Sequence, residues 1–400
     1  MTPLVLRHFT ATSCIGRGLQ ATLESLRAQR SGLAPCAFET VTLETYVGEV
    51  HGVDEVRLPA ALRRFDCRNN RLARLGIAED GFMDAVAACA ARWGRRRVGI
   101  FLGTSTSGML ETEIAFRHRD PATGALPADF DYAGTHNSYS LAAFVRELLG
   151  LEGPSAVVSS ACSSSAKVFG SAQRLIAAGL IDAAVIGGVD SLCLTALYGF
   201  HSLQLVSRGP CKPFDVARDG ISIGEAAAFA LIERVPESLD GDAVLLLGVG
   251  ESSDAYHMSS PHPEGRGARS AMLQALERAG LGCEDIDYIN LHGTGTPSND
   301  SAEAKAVAAV FAGRGQAVEA SSTKGATGHT LGAAGGLEAV ICALSLRFGL
   351  LPGSAHTRQP EPSLGFEYLR ANRQRPIARA LSNSFGFGGS NCALVLGRAQ

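Results

Sequence analysis

Three observations predict an α/β protein built from two related halves. Short apolar runs recur along the chain, at 98–102, 183–186, 244–249 and 286–291. Runs of that length suit strands buried on both faces. Stretches with helical spacing of apolar residues lie between them, as at 82–91 and 270–279, and such alternation favours layered α/β packing. The third observation is internal likeness. An apolar run at 157–161 leads through a small-residue loop into a helix carrying Val168, Phe169, Ala172, Leu175 and Ile176. About 160 residues later, 318–322 leads through a Gly/Thr loop into Leu331, Leu337, Val340, Ile341 and Leu344.

A glycine-punctuated strand pair follows each unit, near 218–233 and near 380–397. Read as a duplication, residues 1–240 and 241–400 form two halves related by a pseudo-twofold axis. Their strand-to-helix junctions then face each other, and a site there draws residues from both.

Composition narrows the function classes. Four hundred residues with 46% hydrophobic content bury a large core. A formal charge of −3 gives no bulk attraction to nucleic acid or to a membrane surface. Runs such as 226–232 and 243–249 are too short to span a bilayer, and the N-terminus shows no basic segment followed by an apolar one. The ten cysteines are scattered singly with no C-x-x-C. That pattern suits a reducing cytosol, without disulfide staples or a structural zinc. The expectation is a cytoplasmic protein with no membrane span and no nucleic-acid partner.

Candidate chemistry follows in chain order. Leu-Arg-Arg-Phe-Asp-Cys-Arg-Asn-Asn-Arg, from 62, places Arg64, Arg68 and Arg71 on one face if helical. That is either a solvated face or a dock for an acidic partner. Cys162 stands at the start of a helix after a strand, where unpaired amides and the helix dipole favour a thiolate. Ser163, Ser164 and Ser165 beside it are small enough to let a substrate approach. A buried structural thiol is the equal alternative. His292 ends an apolar strand and enters Gly-Thr-Gly-Thr, where Thr294 and Thr296 offer hydroxyls to a polar ligand arm; a core histidine is the bland reading. No P-loop or dinucleotide fingerprint is present. His329 lies five residues after Lys324 and nine before Glu338. A Lys–Glu pair there either orients the imidazole or is a surface ion pair of little worth. No third metal ligand falls at close spacing, so no metal is expected.

Four motifs then carry a resemblance: Ser-Ala-Cys-Ser-Ser-Ser at 160–165, His-Gly-Thr-Gly-Thr-x-x-Asn-Asp at 292–300, Lys-Gly-x-Thr-Gly-His at 324–329 and Asn-Ser-Phe-Gly-Phe-Gly-Gly-Ser-Asn at 383–391. Lesser echoes are 103–108 and 213–220. With these, nearly the whole chain resembles a β-ketoacyl-acyl-carrier-protein synthase of the Cys-His-His type, in the thiolase superfamily. The resemblance implies a five-layered α-β-α-β-α sandwich of two halves, the first carrying the nucleophile and the second both histidines. It implies decarboxylative Claisen condensation of an acyl thioester on Cys162 with malonyl-acyl-carrier protein, in fatty acid, polyketide or polyene synthesis.

By the same resemblance, His292 and His329 are catalytic, and Lys324 and Glu338 support His329. The amides of Cys162 and Phe387 form an oxyanion hole, with Phe387 also a gate. Thr294 and Thr296 bind pantetheine, Thr106 lines the acyl pocket, and the arginine face docks carrier protein. No cofactor is implied, and the partners are acyl-carrier protein and a second copy or a paralogue. The N-terminal Leu-Arg-His-Phe-Thr-Ala-Thr-Ser-Cys-Ile-Gly departs from the family's usual Gly-x-Gly opening, which leaves the pathway open. A thiolase would want a second reactive cysteine in the C-terminal loop, and a coenzyme A starter enzyme an asparagine in place of His329. A silent chain-length-factor subunit would lack Cys162, and a cysteine hydrolase would not need both histidines.

Overall fold

The strand Ala226–Arg234 shows how the layers arise. Ala226, Ala228, Ala230 and Ile232 face one core while Ala227, Phe229 and Leu231 face another. Side chains alternate across a strand, so a strand packed on both faces reads as unbroken apolar sequence. Ala183–Asp190 and Ser390–Arg398 divide in the same way.

The computed structural model describes residues 1–362 and 364–399. From the inner strand outward, one strand set runs Leu4–Ser13, Ala226–Arg234, Ala183–Asp190, Val98–Gly103, Ser155–Val158. The other runs Val244–Ser253, Ser390–Arg398, Arg379–Gly386, Tyr288–Asn290, Glu319–Ser321, with Glu367–Tyr368 at its edge. In each, the inner three strands are antiparallel and the outer ones parallel. The sets are hydrogen-bonded to each other where Leu4–Leu6 pairs with Val244–Leu246.

Helices Ser164–Ala177 and Ala334–Phe348 pack on each other and on strands of both sets, forming the middle layer. Arg68–Ile77, Phe82–Trp93 and Tyr139–Leu148 cover the outside of the first set. Arg266–Ala279 and Pro297–Phe311 cover the second. The order is α-β-α-β-α, the thiolase-like sandwich. Every residue of Ala334–Phe348 from Ala334 to Leu346 is buried. The segment Leu331–Phe348 is long and apolar enough to cross a bilayer, with mean hydropathy 1.5, but 89% of it is buried between the sheets. The sequence reading overlooked this run, whose apolarity answers to protein on all sides.

Two local expectations change. His329 does not open a helix: it sits between the short helix Lys324–Thr327 and the turn Leu331–Ala333 that precedes Ala334–Phe348. The expected arginine face does not form either. Arg64 belongs to the 3-10 turn Ala60–Phe65, before the helix Arg68–Ile77 begins. Arg68 is 2% exposed and bonds Glu225 at 2.6 Å, Asp54 at 2.6 Å and Glu49 at 3.3 Å. Arg71 is held by Asp66 at 2.6 Å, and Arg64, at the surface, pairs with Glu147. A guanidinium this buried, paired with the wholly buried Glu225, is structural, so Arg68 is unavailable to a docking partner.

Candidate active site

Cys162 follows the edge strand Ser155–Val158 of the first set, and the chain turns sharply there before the helix Ser164–Ala177. Ala161 adopts φ +53°, a left-handed conformation uncommon for a residue with a Cβ and typical of strained functional turns. The turn sits so low that a Cβ on Gly103 would lie 2.3 Å from the Ser165 amide, and one on Gly188 would lie 2.5 Å from Ser165 Cβ. Backbone reaches side chain here only because these strand residues are glycine.

The three serines after Cys162 face inward, which corrects the expectation that they give room to substrate. Ser164 Oγ accepts from the Ser160 amide at 2.9 Å, Ser163 Oγ donates to the Ser160 carbonyl at 3.0 Å, and Ser165 Oγ accepts from the Gly336 amide at 2.8 Å. They hold the turn and dock the two central helices.

Cys162 is buried. Burial pushes its thiol up to about 12, with the Lys324 charge and the Phe387 amide pulling the other way. The helix start therefore does not yield a resting thiolate, contrary to expectation; the thiol is protonated and lies 3.0 Å from His329 Nε2. Burial first, then the nearby Lys324 charge, hold both His292 and His329 well below the usual imidazole range. Both rings are neutral at pH 7, 5.3 Å apart and nearly perpendicular.

Lys324 stands elsewhere than expected. Its Nζ is 3.4 Å from His292 Nδ1 and is ion-paired with Glu338. The pair supports His292, while His329 Nδ1 has no hydrogen-bond partner among the described residues. An ammonium can only donate, so Nδ1 of His292 accepts and its proton sits on Nε2. Burial lifts Glu338 to about 7 against the pull of Lys324.

The loop carrying His292 hangs from two buried carboxylates that the sequence reading did not single out. Glu303 accepts from the His292 and Gly293 amides, each at 2.8 Å, and from Asn383 Nδ2 at 3.0 Å. Asp300 accepts from the amides of Thr294 at 3.0 Å and Phe214 at 2.8 Å. Both lie on the helix Pro297–Phe311 three positions apart. Acidic residues in the first two turns of a helix that follows a Gly-Thr-Gly loop were the available signal, since such turns favour carboxylates.

Two cavities meet at Cys162 and Phe387. One runs outward past His292, His329, Thr294 and Thr296 to Ser260 and Asn299, and the two threonine hydroxyls in it are 2.9 Å apart. The other is apolar, lined by Thr106, Met109, Phe200 and Leu331. Half-buried Phe387 stands between them, 5.4 Å from the Phe200 ring. It lies in a Gly-rich turn where Gly388 takes φ +76°.

The ligating atoms of Cys162, His292 and His329 lie within 4.8 Å of one another. Their surroundings do not fit a metal. A metal-bound histidine donates its other ring N–H to an acceptor, whereas His292 Nδ1 faces a lysine ammonium and its Nε2 carries the proton.

Residues 10–238 match beta-ketoacyl synthase, N-terminal domain, and residues 243–358 match beta-ketoacyl synthase, C-terminal domain. The chain is 35% identical over 305 residues to nodulation protein E of Rhizobium meliloti, covering 75% of each. It is 32% identical over 327 residues to 3-oxoacyl-[acyl-carrier-protein] synthase 2 of Staphylococcus aureus, covering 75% of this chain and 76% of that one. Among solved structures, the ketosynthase ApeO in complex with its chain length factor ApeC from Xenorhabdus doucetiae is similar with TM-score 0.87 and 36% identity, over 100% of this chain and 98% of that one. The ishigamide ketosynthase/chain length factor matches with TM-score 0.88 and 27% identity over the whole of both chains. A buried cysteine and two neutral histidines gathered from both strand sets at the meeting of two cavities thus accord with sequence likeness along the chain, which belongs to the beta-ketoacyl synthase family.

Proposed function

We propose that this condensing acyltransferase joins an acyl group on Cys162 to a malonyl unit delivered on acyl-carrier protein, giving a 3-oxoacyl-carrier product. The observation that carries the reading is the Cys162–His329 contact of 3.0 Å beside a His292 whose Nε2–H is set by Lys324. A hydrolase would need one base; here a second, permanently donating imidazole points at the same spot.

In the first half-reaction the Cys162 sulfur attacks the thioester carbonyl. Its proton passes to His329 Nε2 and on to the departing pantetheine sulfur. The backbone amides of Cys162 and Phe387 serve the tetrahedral oxyanion, as preorganised donors. In the second, the malonyl thioester carbonyl accepts from Nε2–H of His292 and of His329. The bond to the carboxylate breaks, carbon dioxide leaves, and its electron pair forms the enolate. That carbon attacks the acyl carbonyl and expels the Cys162 sulfur, which takes up a proton from solvent, the one proton the overall reaction consumes. The unpartnered Nδ1 of His329 leaves its tautomer free, so it accepts in the first step and donates in the second. The reaction balances without a redox or metal cofactor.

The outward cavity suits the phosphopantetheine arm, with Thr294 and Thr296 as its hydrogen-bonding partners, and the apolar cavity suits the acyl chain against Thr106. Lys324 and Glu338 act through His292, and Phe387 gates the passage between cavities. Of the arginines, only Arg64 retains the exposure that carrier docking needs. We read 1–240 and 241–400 as the two halves, in keeping with their matching strand orders. The likeness to a ketosynthase solved with its chain length factor supports a dimer, with a paralogue or with a second copy. The retained Cys162 favours the active subunit over a silent one.

Intact-protein mass spectrometry after incubation with acyl-carrier proteins tests this. Wild type should gain one acyl group and Cys162→Ala none. No adduct on wild type from any carrier, alone or with a paralogous partner, would overturn the reading.

A further inference from the structure

Asp190 ends the strand Ala183–Asp190 and is wholly buried. Its Oδ1 accepts from Thr104 Oγ1 at 2.6 Å, the Ser105 amide at 2.8 Å, and the amide and hydroxyl of Thr106, each at 2.9 Å. Its Oδ2 accepts from the Ser105 hydroxyl at 2.5 Å, the Ser105 amide at 3.1 Å and the Gly332 amide at 2.5 Å. All but one of these donors belong to 104–106, of which Ser105 and Thr106 line the apolar cavity. The remaining donor, Gly332, lies three residues beyond His329.

The turn between them is under strain. Leu331 takes φ +50°, a conformation unfavourable for a residue with a β-carbon that persists only when its surroundings hold it. Leu331 also lines the apolar cavity. Among the described residues the imidazole of His329 has one side-chain hydrogen-bond partner, Cys162, and acylation removes it. From then on the ring's position depends on backbone anchors: the His329 amide on the Ser222 carbonyl at 2.7 Å, the His329 carbonyl accepting from the Gly224 amide at 3.0 Å, and the Leu331–Gly332 turn held by Asp190 and, at 3.2 Å, by Ser105 Oγ. His292, by contrast, keeps Lys324 throughout.

We propose that Asp190 is a positioning residue that holds the His329 turn in register with the acyl-cavity wall, and that it serves the condensation half-reaction rather than acylation of Cys162. The proposal rests on the condensing function above. A carboxylate suits the task because it only accepts, and here every group around it donates.

Asp190→Asn separates the two sides. With the amide nitrogen at the Oδ2 position, all four bonds to Oδ1 survive and the Ser105 hydroxyl can turn to accept. The Gly332 N–H then faces another donor and is left with only its longer bond to Ser105 Oγ, at 3.2 Å. Acylation measured by intact mass should stay within about threefold of wild type. Condensation by pre-acylated enzyme should fall at least about tenfold in kcat, with KM for malonyl-carrier protein little changed, because a displaced donor costs rate and not ground-state binding. Ser105→Ala, which removes a wall hydroxyl from Oδ2, should shift the same ratio in the same direction by a smaller factor, and it keeps the question answerable if Asp190→Asn fails to fold. Equal loss in both half-reactions, or no change in their ratio in folded Ser105→Ala and Asp190→Asn, would overturn the role. Wild type that neither acylates nor condenses would instead count against the function itself.

Discussion

Lys324→Met tests how the site is wired. The substitution keeps the length of the stem and deletes the ammonium that lies 3.4 Å from His292 Nδ1. A hydrogen bond from a charged donor contributes about 1.5–3 kcal/mol. That energy biases His292 toward the Nε2–H tautomer that faces the enolate. At about 1.4 kcal/mol per factor of ten, condensation should slow by about 10- to 150-fold. The fold should suffer less than the 3–5 kcal/mol or so expected when a buried charge is stranded. Glu338 already sits at about 7 beside Lys324, and without that cation it is driven further up and takes a proton at neutral pH. Both imidazoles lose the charge that holds them down, so each rises toward the ordinary range. The assay is carbon dioxide release from malonyl-carrier protein by enzyme acylated beforehand, with a thermal melt to show folding. A folded variant that condenses at the wild-type rate would refute the tautomer argument, and with it the role of the Lys324–Glu338 pair.

Arg68→Ala should lower stability by about 3–5 kcal/mol in chemical denaturation, since it strands the fully buried Glu225. Arg64→Ala, losing an exposed pair, should cost no more than about 1 kcal/mol. Glu303 is lifted by burial to about 7 in the folded protein. The stability tied to its protonation is complete below its unfolded value and is lost as pH rises through about 7. Melts of Glu303→Gln and wild type between about pH 5.5 and about pH 8 should therefore converge, or cross in favour of the variant, toward alkaline pH. The two histidines carry the opposite sign in both proteins, losing stability as pH falls below the usual imidazole range, and cancel in the difference.

Sequence pattern alone accounts for the layers and for the three groups at the centre. Apolar runs such as 183–186 and 244–249 are continuous because both faces of those strands are buried, and continuity is visible without coordinates. Cys162 and His292 each stand just past a strand end and His329 just past a short helix, all three in glycine- or serine-rich stretches, which exposes them to notice along the chain. What surrounds them depends on elements far apart in sequence. Lys324 reads as a neighbour of His329 by spacing, yet the break between the helix Lys324–Thr327 and the turn at Leu331 aims its ammonium at His292 instead. Arg68 reads as one of three surface cations, but Glu225, 157 residues away, makes it a core ion pair. The Cys162 thiol reads as activated by its helix start, yet burial pushes it up. Local chemistry is written in the order of residues, whereas dielectric, hydrogen-bond partner and protonation state are properties of what the fold packs around them, and only the tertiary structure decides those.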